Sequence, residues 1–141
     1  MYKNEMQWLD FLENKQVIRE IFRSDAPSLD HLRLVKIEIT EVGIIGVSFN
    51  IDGMPNGCPV RWLAKGFDSL QLRFSFVQVA KFAIIGELGD VALTVSAFFN
   101  EKGMFEIFNE IFRAEISFRY AKLDLYPYNS NVFEEPKNWH L

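Results

Sequence analysis

The sequence predicts a single α+β domain, residues 1–141, dominated by antiparallel β-sheet in a sandwich or strongly curved arrangement, with an N-terminal helix packed on it. Three observations lead there. Apolar and polar residues alternate in successive short segments, most regularly at Leu70, Leu72, Phe74 and Phe76, and a period of two puts such a set on one face of a strand. Turn-forming clusters separate the segments, among them Met54-Pro55-Asn56-Gly57-Cys58-Pro59 and Asn100-Glu101-Lys102-Gly103. Helical spacing is confined to the first two dozen residues. With 141 residues, 49% of them hydrophobic and 14 of them Phe, the chain can fill one core but not two.

The helical region comes first. Trp8, Leu9, Phe11 and Leu12 form one apolar group and Val17, Ile18, Ile21 and Phe22 another, each with i, i+3, i+4 spacing. Asn14 lies between them, suited to cap a helix starting at Lys15, and the segment before Pro27 ends it, because a residue preceding proline leaves the α region. Leu32 to Thr40 and Ile44 to Asp52 then read as a hairpin about Glu41-Val42-Gly43, with Val35, Ile37 and Ile39 on one face of its first strand. The proline-rich loop that follows excludes a central strand. Val60-Arg61-Trp62-Leu63 places a large ring at the mouth of that loop, and Gly66 turns the chain into the strand ending at Val77. Val79 to Ile85 is again β-rich. Val91, Leu93, Val95 and Ala97 alternate, Asn100 to Gly103 makes a hairpin turn, and Met104 to Phe108 returns antiparallel. From Ile111 to Tyr126 the run is too long for one straight strand, which predicts a bend near Ala121 and a last strand from Lys122 to Tyr126. The core then spans about 14–126. The tail 127–141 is irregular in composition but carries Val132, Phe133 and Trp139, apolar residues that favour docking on the body.

Charge and composition exclude several function classes. The net charge is −4, and the two halves are alike: residues 1–70 carry 8 bases against 10 acids, and residues 71–141 carry 7 against 9. A nucleic-acid binder needs clustered Lys and Arg to displace counterions from phosphates, so no nucleic acid is expected as partner. No membrane is expected either, since no apolar run approaches the ~20 residues of a span and the N-terminus lacks an apolar signal region. The single Cys58 cannot close an internal disulfide, which points to a reducing, cytoplasmic setting.

Chemistry-bearing patterns are sparse. His31 and His140 with one Cys supply no metal-ligand spacing, the glycines show no phosphate-binding pattern, and Asp30-His31 lacks an accompanying nucleophile signature. No cofactor, metal or catalytic residue is therefore expected. Glu106, Glu110 and Glu115, with Asp52 and Asp68, are the carboxylates whose convergence a hydrolase would require, and a solvated face explains them more cheaply.

Two blocks resemble the immunity protein 50 family, one of the small families that bacteria encode beside polymorphic toxins. The first is Asn14-Lys15-Gln16-Val17-Ile18-Arg19-Glu20-Ile21-Phe22, followed by Pro27-Ser28-Leu29 and then Leu32, Leu34 and Ile37. The second comprises Pro55, Pro59, Trp62, Gly66-Phe67 and the strand with Gln71-Leu72. The similarity covers roughly residues 14–126. It implies a non-catalytic protein that binds a cognate toxin domain in the bacterial cytoplasm and blocks it. For such a partner the residue types that anchor interfaces are Trp62, Tyr126, Tyr128 and Trp139, with Asp124, Glu134 and Glu135 beside the last three in sequence. Aromatics mixed with acids would suit a basic, nuclease-like toxin; alternatively Trp62 and Trp139 plug the open ends of the core. Rival readings are a small-ligand-binding β module with a concave apolar pocket and a hydrolase with scattered carboxylates. Edge strands of so apolar a sheet could also pair in a homodimer.

Overall fold

Leu70, Leu72, Phe74 and Phe76 are all fully buried, so the strict alternation of β3 (Ser69–Val77) does define the core face. The computed structural model describes residues 5–23, 26–87 and 93–131. A 3-10 helix (Glu5–Phe11) and α1 (Lys15–Phe22) lead into β1 (Leu32–Glu41), β2 (Ile44–Asp52), a short α2 (Val60–Ala64) and β3. Then follow β4 (Lys81–Gly86), β5 (Leu93–Asn100), β6 (Met104–Phe108), β7 (Phe112–Ser117) and β8 (Tyr120–Tyr128). All pairings between these strands are antiparallel, in the order β4-β7-β6-β5-β1-β2-β3-β8. The expected α+β class, with its antiparallel sheet and N-terminal helix, is what the chain forms.

The sheet folds over on itself across the seam between β1 and β5. There β1 meets β5 over Leu32, Leu34 and the residue between them, and the Ala97 N–H bonds the Leu29 carbonyl at 2.8 Å. The inner faces of β2 and β3 then pack on those of β5 and β6: Phe105 lies 5.4 Å from Phe74, 4.8 Å from Phe76 and 4.7 Å from Phe99, centroid to centroid. Such ring pairs add about 0.5–1.5 kcal/mol each beyond their buried area. Leu9, Leu12, Ile18 and Phe22 bring the helices onto the same core, with Trp8 edge-on to Phe74 at 5.8 Å.

Four expectations need correction. Val35 does not share a face with Ile37 and Ile39, because β1 changes register between Leu34 and Lys36. A bulge there puts Leu34, opposite Phe49, in phase with Ile37 and leaves Val35 exposed. Asn14 does precede the helix, but its side chain caps nothing. Its amide instead donates to the Leu123 carbonyl at 2.7 Å and accepts the Leu123 N–H at 3.2 Å, so it acts as one residue of an extra strand along β8. The break in the last run falls at Phe118-Arg119 rather than near Ala121, where Phe118 N–H turns back to Gly103 O at 2.9 Å. β8 also runs past Tyr126 to Tyr128, with Pro127 buried inside it opposite Leu70; an edge strand tolerates the missing donor. Val132, Phe133 and Trp139 of the tail lie outside the described residues.

Candidate partner-binding face

Because β2, β3 and β8 pair in unbroken register, their outward residues form rows. Asp52, Ser69 and Tyr128 make one row, Asn50, Gln71 and Tyr126 the next, and Ser48, Arg73 and Asp124 a third. β1 extends them with Arg33 opposite Asn50 and Lys36 opposite Ser48. Every one of these residues is polar or amphipathic, so the face opposite the phenylalanine core is a continuous hydrogen-bonding surface.

Arg73 sits at its centre. Its guanidinium donates to Gln71 Oε1 at 2.7 Å and to Ser48 Oγ at 3.2 Å, and lies 4.2 Å from the centroid of the Tyr126 ring. Gln71 donates onward to Asn50 Oδ1 at 3.1 Å. These bonds satisfy Ser48 and Gln71 although both are buried, as buried polar groups require. A guanidinium stacked on a ring holds the ring in one orientation, which lowers the entropy a partner must supply on binding.

An ion pair frames the lower row. Arg33 reaches both Asp52 oxygens, at 3.0 and 3.2 Å. The hydrogen bond that Arg33 donates lowers the Asp52 pKa below the usual aspartate range, and by accepting it Asp52 raises the Arg33 pKa, with Tyr128 a further hydrogen-bonding neighbour of the guanidinium. Asp68 is lowered too, chiefly by the Ser130 backbone N–H at 2.9 Å and then by the Ser130 hydroxyl at 2.8 Å. These groups are exposed, so each pair adds little to stability; together they pin β8 and the chain leaving it against the β3 end.

The residues expected from sequence divide three ways. Asp124, Tyr126 and Tyr128 share this face, half-buried at alternate positions of β8. Trp62 does not belong with them. It is completely buried on α2, so it cannot anchor a partner as a surface residue; its indole N–H has no hydrogen-bond partner among the described residues, and its ring belongs to the core. Glu134, Glu135 and Trp139 lie outside the described residues. Sequence reasoning missed Arg73, Gln71, Asn50, Ser48 and Arg33, although the polar phase of β3 held a signal in Gln71 and Arg73.

Of the carboxylates considered for hydrolysis, Asp52 and Asp68 border this face, whereas Glu106 and Glu115 lie elsewhere. Glu106 and Glu115 stand opposite one another across β6 and β7, both near Arg113 Nη1, at 2.8 and 3.9 Å. They sit on the outer face, where Phe98 and Phe108 pack edge to face at 5.9 Å. A depression of about 300 Å³ opens instead between the β1–β2 turn and the start of β4, among Ile39, Val42, Val79 and Phe82. Among the described residues no group of three His, Cys, Asp or Glu side chains is placed to hold a metal ion.

No curated protein and no solved structure matches this chain. The sequence profile of the family described as immunity protein 50 does match, over residues 14–125, from the residue that lines the β8 edge through six of the nine residues of β8 itself. The chain belongs to the immunity protein 50 family.

Proposed function

We propose that this protein binds a cognate bacterial toxin domain in the cytoplasm of the producing cell and neutralises it by occlusion, without catalysis. Family membership carries the reading. The sheet supports it: its register is continuous through β2, β3 and β8, so the contact surface is held rigid before the partner arrives and little binding energy goes into ordering it. Asp124, Tyr126 and Tyr128 are the proposed contacts, with the Tyr126 ring already oriented by Arg73. A basic, nuclease-like toxin fits the net charge of −4.

Co-expression tests this. A candidate toxin, sought as a toxin-domain protein encoded beside this chain, is expressed with and without it, and growth and co-purification are followed. Rescue of growth together with a co-purifying complex is the expected result, and replacing Tyr126 and Tyr128 by Ala then weakens the complex by about tenfold or more. A chain that neither protects nor binds would refute the reading.

A further inference from the structure

The sheet ends in two edge strands, β4 and β8, and they are treated differently. Along β8, the Glu13 N–H bonds the Ala121 carbonyl at 2.8 Å and the Asn14 amide takes both backbone groups of Leu123. Over Ala121 to Leu123 a stranger strand cannot add. β4 carries no such cover among the described residues, and Ile84 and Ile85 are 46% and 73% exposed. An open apolar edge is a template for further pairing.

The backbone says which residues would pair. Glu87 N–H bonds the Ile111 carbonyl at 2.9 Å, continuing the register in which Gly86 faces Phe112 and Ile85 faces Arg113. Bonding groups alternate along an antiparallel strand. The odd-numbered residues of β4 therefore bond β7, and the N–H and C=O groups of Phe82, Ile84 and Gly86 point away from the sheet.

We propose that β4 pairs antiparallel with β4 of a second copy, about a two-fold axis at Ile84, joining two molecules into one continuous sheet. In this register Ile84 faces Ile84 of the second copy, and Phe82 faces a Gly86 that has no side chain to crowd it. All three outward-pointing residues then exchange backbone bonds. Ala83 faces Ile85, a small residue against a large one. Lys81 faces Glu87 of the second copy, and by symmetry Glu87 faces its Lys81. Both are exposed, and among the described residues neither has an ion pair within its own chain. This charge match favours a second copy over an arbitrary strand, and the isologous geometry closes the assembly at two.

Sedimentation of the purified full chain over a concentration series tests this, with circular dichroism as the check on folding. The wild type is expected to dimerise reversibly. Lys81→Glu or Glu87→Lys alone turns two attractive pairs into two repulsive ones and weakens the dimer by about tenfold, and the double substitution restores it. A wild type that stays monomeric at every concentration overturns the proposal. So does a dimer indifferent to either single substitution, single substitutions that the double fails to rescue, or a β4 edge that pairs only with a different protein.

Discussion

Replacing Gly57 by Ala tests how the proline-rich loop is fastened to the rest of the molecule. The Gly57 N–H donates to the Ile21 carbonyl at 2.8 Å, one of the carbonyls that the last turn of α1 leaves without an intrahelical partner. A Cβ at this position would press on the Glu20 carbonyl oxygen and come within 2.6 Å of the Ile21 carbonyl oxygen. Both obstacles are backbone, so the loop itself must move. Overpacking of this kind costs about 1–3 kcal/mol, and losing the hydrogen bond costs about 1 kcal/mol more. The lower entropy of the unfolded Ala chain returns up to about 1 kcal/mol. The net destabilisation is about 2 kcal/mol. For 141 residues, an unfolding entropy of about 0.3 kcal/mol/K turns this into a fall in Tm of about 7 °C. Scanning calorimetry measures it, with Gly46→Ala as control. There the nearest atoms to a new Cβ are the Glu38 side chain at 3.5 Å and the Phe74 carbonyl at 3.8 Å, ordinary contacts, so Tm should hold or rise slightly. If Gly57→Ala melts within about 2 °C of wild type, the loop is not held by this contact and the argument fails.

Two further outcomes follow from the β8 end of the sheet. Asn14→Ala strips both partners from Leu123 and should cost about 2–3 kcal/mol in urea unfolding; Asn14→Asp keeps an acceptor for the Leu123 N–H but sets a carboxylate against the Leu123 carbonyl, so it should rescue little. A helix cap would show the opposite order, because Asp caps well. As for pH, Asp52 and Asp68 are both lowered in the folded state, by Arg33 and by Ser130 respectively. Their contribution is therefore present above the ordinary aspartate range and is lost as pH falls through their folded-state values. An Asp52→Asn/Asp68→Asn variant should melt below wild type at neutral pH and converge with it in acid; a constant offset at all pH values would show that titration of these groups is not the cause.

How much of this was legible in the sequence depends on the range over which each residue acts. Leu70 to Phe76 announced a buried strand face because alternation is local, and the turn at Asn100 to Gly103 was legible because Gly103 takes the left-handed φ of 78° that such a turn demands. The order of elements and the family resemblance come from the same local patterns. Alternation says which residues share a face, but not what that face meets. Trp62 has an interface residue's chemistry, yet it is wholly buried. Asn14 looked like a helix cap because caps are read from neighbours, whereas its partner is Leu123, 109 residues away. Arg73 is one polar residue among several until the register sets it between Ser48 of β2 and Asp124 of β8, within reach of the Tyr126 ring. The sequence by itself thus determined most of the strands, the buried faces of the regular ones and the family, because those rest on spacing along the chain. The folding of the sheet over its core, the partial cover of one edge and the gathering of a polar face were decided only by the tertiary structure, because each depends on pairings between residues distant in sequence.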